Sequence, residues 1–211
     1  MKKFWEKVKS FLARIQYNSP VILTYALICL AVLCLDIIIG DRISGNSINH
    51  WVFSIRRTSW GDPLAYLRVI TYAFGHINIQ HYFNNFLIIL LVGPLLEERY
   101  GSLDLLIMIA VTTVVTGVVF LIFNPMGVSG LGASGIAFML ILLASVTNAE
   151  KGRIPLTFIF ALVFYIGTEL FSNVKSSAAY ETTNISHVSH IIGGLCGAAF
   201  GFFLSRKRER K

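Results

Sequence analysis

Six apolar stretches constrain the fold of this chain more strongly than any other feature of its sequence. They cover residues 20–40, 81–96, 105–123, 131–147, 154–171 and 185–204. Several of them approach the roughly 20 apolar residues that a helix needs to span a bilayer. A hydrophobic content of 55% and a mean hydropathy of +0.68 lie outside the range of soluble proteins. We therefore predict an all-α membrane protein, folded as one bundle of six transmembrane helices.

The net charge of +7 is concentrated at the two ends of the chain. Five basic residues precede the first apolar stretch and five follow the last, namely Lys2, Lys3, Lys7, Lys9, Arg14, Arg206, Lys207, Arg208, Arg210 and Lys211. The positive-inside rule places such residues in the cytoplasm. An even number of spans puts both termini on one side, so the two arguments agree. We expect the basic ends to lie beside anionic lipid, and we expect no nucleic-acid partner.

The chain divides into three predicted segments. Residues 1–18 alternate lysines with apolar residues at helical spacing, which is typical of an amphipathic helix on the cytoplasmic membrane surface. Residues 19–205 form the helical domain, and residues 206–211 form a basic cytoplasmic tail. The three cysteines are an odd number and lack metal-ligand spacing, so we expect no metal and no other cofactor.

The fourth apolar stretch is too short to cross a membrane comfortably. Residues 131–147 form roughly 25 Å of helix at about 1.5 Å per residue, whereas the hydrocarbon core is about 30 Å thick. The preceding loop, residues 124–130, has little hydrophobic bulk and no charge. The simplest geometry is re-entrant: the loop enters the bilayer, and the helix begins below the surface with Ser134 at its N-terminus. Irregular backbone at this depth survives only inside protein or beside water, which makes Ser134 a candidate nucleophile.

Polar residues of three separate spans are predicted to meet near the outer face of the membrane. With the N-terminus inside, the second, fourth and sixth spans all run from outside to inside. This direction brings His81 and Asn85, then Ser134, then His187 and His190 to a similar depth. Ionisable residues inside a membrane are functional-site hypotheses by default.

These residue types fit nucleophilic catalysis. A serine hydroxyl needs a neighbouring base to become a nucleophile, and histidine is the usual base. The tetrahedral oxyanion then needs hydrogen-bond donors, which imidazole and amide side chains supply. His81 and Asn85 are four residues apart and therefore share one helix face.

Small residues predict a close approach of the fourth and sixth spans. Gly193 and Gly197 share a face with His190 and form a pair of the small-xxx-small type, which lets helices approach backbone to backbone. Gly132 and Gly135 leave little side-chain volume on the facing side of the fourth span. A base on the sixth span could then reach the serine.

Each polar residue also has a structural interpretation. An isolated serine of this kind more often packs or starts a helix, and Asn85 could simply join two helices. His76, His187 and Asp36 are expected to lie at the membrane interface. Glu169 is expected to be structural or bonded to water rather than to orient a catalytic histidine. Only the joint occurrence of these residues at one depth favours an active site.

Three motifs resemble those of the rhomboid family of intramembrane serine proteases. Residues 132–135 resemble the family's G-x-S-G, which implies Ser134 as the nucleophile. Residues 190–197 resemble its H-x-x-G-x-x-x-G, which implies His190 as the base. His81 and Asn85 fit its H-x-x-x-N, which implies that both side chains belong to an oxyanion hole.

Two further motifs follow the order of the family. Residues 93–101 resemble its G-x-x-x-E-x-R-x-G, and residues 67–71 resemble its W-R-x-x-T with leucine at the tryptophan position. Phe138 stands where relatives often have a tyrosine stacked on the histidine, so an aromatic face is retained. We expect seven residues of these motifs to give structural support: Gly132, Gly135, Gly193, Gly197, Arg68, Glu97 and Arg99.

The resemblance implies hydrolysis of peptide bonds in or near the transmembrane segments of membrane proteins, by a Ser–His dyad. The expected partners are single-span or other transmembrane substrates and the lipid bilayer. The alternative is a catalytically silent, rhomboid-like protein that grips membrane clients. A transporter or proton relay would show a repeated architecture, which the sequence lacks.

The expected location is the plasma membrane, specifically the bacterial inner membrane, with several spans and both termini in the cytoplasm. The active site is expected to open to the outer face. A long outer loop, residues 41–80, is expected to lie partly in the membrane plane.

Overall fold

The computed structural model describes residues 5–6, 16–43, 47–59, 61–147, 156, 159–160, 163 and 183–208. Within these residues the elements are α1 (Pro20–Ile43), α2 (Ile48–Trp51), β1 (Ile55–Arg56), α3 (Pro63–Thr71), a 3-10 turn (Tyr72–Phe74), α4 (Ile79–Tyr100), α5 (Ser102–Phe123), β2 (Ser129–Gly130), α6 (Ser134–Thr147) and α7 (Thr183–Arg208). The described part of the chain is therefore all-α, apart from one short two-stranded ribbon.

Three described helices are long and apolar enough to cross a membrane. These are Pro20–Ile39, Ile79–Tyr100 and Ser102–Phe123, and shorter apolar helices cover Ser134–Thr147 and His190–Phe203. Of the fifth predicted stretch the structure describes only four residues, all helical and exposed: Leu156, Ile159, Phe160 and Val163. The prediction of an all-α protein with several membrane spans is confirmed.

Helix α4 is longer than the predicted stretch of residues 81–96. It begins at Ile79 because the Asn78 side chain caps it, accepting a hydrogen bond from the His81 amide at 2.8 Å. It continues through the charged residues to Tyr100 and ends at Gly101, whose φ of +86° suits glycine. The stretch predicted from hydropathy ended before the first charged residue. The backbone hydrogen bonds of the helix continue past that residue.

Glu97 holds the starts of two neighbouring helices. Its carboxylate accepts hydrogen bonds from the Ser19 hydroxyl and from the amides of Val21 (2.9 Å) and Ile22 (3.1 Å), at the start of α1. It also accepts one from the Ser102 hydroxyl, at the start of α5. Backbone N–H groups in a first helical turn lack intrahelical partners, and the carboxylate supplies them at α1. At α5 it bonds to a side-chain hydroxyl instead.

Helix α6 lies at the centre of the bundle, in contact with α4, α5 and α7. Its side chains Met139, Leu140 and Leu143 are fully buried. The outward faces of the longer helices are apolar and exposed, as with Leu87 and Leu91 of α4, which suits contact with lipid. Most residues of α6, from Gly135 to Thr147, are therefore enclosed by protein.

The long loop between α1 and α4 is itself folded. Buried Arg68 of α3 donates a hydrogen bond to the Trp51 carbonyl at 2.8 Å and pairs with Asp62 at 3.1 Å. Desolvation acts to raise the pKa of Asp62, but hydrogen bonds from Thr58 and the Leu64 amide, together with Arg68, lower this pKa below its usual value. The ion pair is therefore lost only when the pH falls through that lowered pKa.

Candidate active site

A tight turn leads from β2 into α6. Strand β2 pairs antiparallel with β1, with Gly130 opposite Ile55, so the folded loop holds the chain just before the turn. At Gly132 the φ angle is +125°, a conformation that side chains rarely adopt, and its amide donates to the Tyr72 carbonyl at 3.0 Å. Helix α6 then begins at Ser134, which is partly buried. Its unpaired backbone amides and positive dipole end favour negative charge beside Ser134.

His81 and Asn85 of α4 face this turn. A Cβ atom added at Gly132 would lie 2.7 Å from His81 Cε1, 2.9 Å from His81 Nε2 and 3.6 Å from Asn85 Nδ2. The Ile77 amide lies 3.5 Å from His81 Nδ1, and this contact suits the neutral tautomer that carries its proton on Nε2. Two side-chain N–H groups therefore stand beside the backbone that precedes the serine.

The Asn85 amide is unusual for a buried polar group. Its Nδ2 atom is inaccessible to solvent and has no hydrogen-bond partner among the described residues. Leaving a buried donor without an acceptor costs roughly 1–3 kcal/mol. Such a cost is explained if the donor is kept for an acceptor that arrives with a bound molecule.

His190 reaches the same region from α7. A Cβ atom at Gly193 would overlap the Gly135 carbonyl, and one at Gly197 would overlap the Met139 carbonyl, so α6 and α7 are in backbone contact. The imidazole of His190 packs on the Phe138 ring, with centroids 4.6 Å apart and planes inclined by 37°. His190 and His81 also lie close enough to interact electrostatically. Helices α4, α6 and α7 thus bring their polar residues to one place.

The family model described as the Rhomboid domain matches residues 63–207, which is more than half of the chain. This chain belongs to the rhomboid family. The resemblance read from the motifs is confirmed, and the family is one of intramembrane proteases. No curated protein matches the sequence significantly.

Two residues of this rhomboid that were expected at the membrane interface make contacts with the folded loop, and their depth in the membrane stays a prediction. His76 is fully buried, and its ring lies edge-on to the His81 ring with centroids 5.2 Å apart. Burial, and to a lesser extent His81, lower the pKa of His76 to about 4, although the Phe74 carbonyl opposes this shift. Asp36 is partly buried and accepts hydrogen bonds from Asn49. Hydropathy does not predict these contacts, because they depend on how the loop folds.

The remaining predicted residues fall into two groups. Arg68 supports the folded loop, whereas Glu97 and Arg99 lie at the far end of α4, where Arg99 donates to the Thr147 carbonyl at 2.6 Å. The side chain of His187 and all of Glu169 lie outside the described residues. In the part of the chain that the structure describes, no three His, Cys, Asp or Glu side chains form a group that could hold a metal ion.

Proposed function

We propose that this rhomboid is an intramembrane serine endopeptidase in which Ser134 is the nucleophile and His190 the general base. One observation carries the proposal: the buried, unpartnered amide of Asn85 and the Nε2 of His81 stand together at the turn before Ser134. Unused donors beside a helix-terminal serine suit a developing oxyanion. A silent client-binding protein would have no use for them.

In the proposed reaction the peptide bond breaks in two steps. His190 takes the hydroxyl proton of Ser134 while the oxygen attacks the scissile carbonyl carbon. His81 and Asn85 donate hydrogen bonds to the resulting oxyanion. His190 then gives its proton to the departing amine, which leaves an acyl-enzyme. Water, deprotonated by the same histidine, hydrolyses the ester and restores the serine.

The surroundings of His190 support its role as the base. The Phe138 ring fixes the plane of the imidazole, and the contact of α6 with α7 fixes its distance from the start of α6. A base that is already oriented loses little entropy in reaching the transition state.

The proposed substrate is a transmembrane helix, of a single-span or other membrane protein. Helical segments hide their carbonyl groups in internal hydrogen bonds, so the substrate must unwind locally before attack. Residues with poor helix propensity near the cleaved bond would favour unwinding.

The proposed setting is a bacterial inner membrane. The bundle would have six helices, with residues 131–147 entering from a re-entrant loop and the site open to the outer face. The helical domain would cover residues 19–205, with the cytoplasmic segments 1–18 and 206–211 at its ends. The basic residues at both ends of the chain support this orientation.

Mutation of the dyad tests the proposal directly. Ser134→Ala and His190→Ala should each abolish cleavage of a labelled single-span substrate by purified protein. When catalytic residues act as one unit, substitution of either one removes nearly all of the activity. Melting temperatures should stay close to that of the wild type. His187→Ala, one turn away on α7, is the matched control and should retain most activity. Turnover by the serine variant, with contamination excluded, would overturn the assignment.

A further inference from the structure

A side-chain contact joins the outer end of α1 to the folded loop. Asp36 of α1 accepts two hydrogen bonds from Asn49 of α2, one from the backbone amide at 2.9 Å and one from the side-chain amide at 2.8 Å. Asn49 is buried. A carboxylate that receives two hydrogen bonds from one residue fixes both the position and the rotation of that residue.

Asn49 passes this constraint to the segment before α4. Its Nδ2 atom, already bonded to Asp36, also donates to the His76 carbonyl at 2.9 Å. The chain is tightly held here, since a Cβ atom at Gly75 would lie only 2.5 Å from the Phe53 carbonyl oxygen. The backbone at His76 is therefore fixed from α1 through a single side chain.

The fixed segment contacts the proposed oxyanion donor His81 on two sides. The buried His76 ring lies edge-on to the His81 ring at 5.2 Å, and the next amide, of Ile77, donates to His81 Nδ1. These two contacts orient the imidazole, and the second also suits the tautomer that carries its proton on Nε2.

We propose that Asp36 and Asn49 form a positioning clamp that aims His81 Nε2 at the oxyanion through the backbone of His76. The clamp acts at a distance, since neither Asp36 nor Asn49 touches the turn at Gly132. This inference rests on the proposed protease function, because it assigns His81 a role in the reaction. A purely structural contact between α1 and α2 is the competing explanation.

Exchanging the two residues separates these explanations. In Asp36→Asn/Asn49→Asp the new amide at 36 can donate to the new carboxylate at 49, so α1 and α2 stay joined. A carboxylate has no proton to give to the His76 carbonyl. The exchanged pair should therefore recover the melting temperature that Asn49→Ala loses, without recovering kcat.

Kinetics and hydrogen exchange are measured on the full-length protein in one detergent. Asp36→Ala, Asn49→Ala and the exchanged pair should lower kcat up to about 100-fold with little change in KM, as expected for a displaced catalytic group. Amide exchange across residues 75–81 should rise in the same variants. Ser47→Ala is the matched control. The Ser47 side chain caps α2 by accepting a hydrogen bond from the His50 amide. Its removal should change neither kcat nor the amide exchange across residues 75–81.

Two results would overturn the clamp: full kcat in the exchanged pair, or unchanged exchange across residues 75–81 in Asn49→Ala. The proposed protease function fails by different results, namely no cleavage by the wild type or undiminished cleavage by Ser134→Ala. Hydrogen exchange needs no activity, so it still decides whether the clamp holds the segment next to His81.

Discussion

The Asn85 side chain lowers the stability of the fold, and it offers a free hydrogen-bond donor to the proposed reaction. Its amide is buried without a partner in the described part of the chain, although the surrounding helices could have enclosed an apolar residue instead. A donor held in place before the reaction needs no reorganisation when charge develops, and this is the largest common source of catalysis at such sites. Substitution of Asn85 therefore distinguishes a catalytic role from a packing role most directly.

Asn85→Ala should lower kcat by about 10²- to 10³-fold, or roughly 2.7–4 kcal/mol, because one oxyanion donor is lost. Substrate binding should weaken far less. Asn84→Ala is the matched control, since the neighbouring Asn84 is exposed and bonds only to Gln80 among the hydrogen bonds described for it. Both kcat and melting temperature are measured in one detergent.

The contrary result for Asn85 is equally clear. If it only joins helices, Asn85→Ala will melt at a lower temperature while the folded molecules keep their full turnover. That outcome would remove Asn85 from the proposed mechanism.

At the residue scale, sequence motifs name the members of the candidate site, whose roles stay predictions, but not the contacts that support them. Ser134, His190 and Asn85 stand in spaced motifs, and the helical period of 3.6 residues places them on faces without further knowledge. Asp36 and Asn49 belong to no such pattern. Their contact depends on how the loop folds back on α1, which is a matter of tertiary structure.

The proposed site depends on the contact between helices α6 and α7. Gly193 and Gly197 face backbone carbonyls, which cannot move aside, whereas Gly194 faces the flexible tip of Leu142 at 2.8 Å. Protein interiors resist added volume, and an extra methyl group with no space forces the helices apart.

Gly197→Ala should therefore destabilise the protein by about 1–3 kcal/mol and reduce cleavage, since α7 carries His190 away from α6. Gly194→Ala places the same methyl group on the same helix, against a side chain that can rotate, and should have a smaller effect on both. Thermal unfolding and substrate cleavage check the pair. Equal effects of the two substitutions would show that the carbonyl contacts do not determine the approach of the helices.

Apolar stretches predicted the positions of the helices well, but they predicted only some of the helix ends. Hydropathy located α5, which ends at Phe123 as expected. It missed the last turn of α4, where Glu97 and Arg99 stay helical because they bond to the ends of neighbouring helices. A hydropathy average over neighbouring residues does not detect polar residues whose partners are distant in the sequence.

At the scale of the whole molecule, charge sets the proposed orientation. Both ends of the chain are basic, and the sequence after residue 147 adds Lys151 and Arg153. If these segments are cytoplasmic, the turn at Gly132 and the start of α4 lie towards the outer face, where water can reach the site.

Single cysteines or tags should report this orientation. Positions at both termini and near Gly152 should be labelled from the cytoplasmic side, and positions near Asn46, Gly127 and Ser177 from the outer side. The natural cysteines Cys29, Cys34 and Cys196 are free and should be replaced first. A C-terminus labelled from outside would place His190 at the wrong depth and contradict the proposed site.

The turn at Gly132 also bears on how such proteins diverge. A single methyl group at this position would collide with His81, and the residue bearing it would have to keep a φ of +125° in the turn before α6. One nucleotide change from glycine to alanine would thus disturb the proposed site directly, while the helix contacts elsewhere in the bundle are not touched. A lineage could pass in one step from an enzyme to a receptor for membrane clients, and glycine at 132 would be the first place to look for that history.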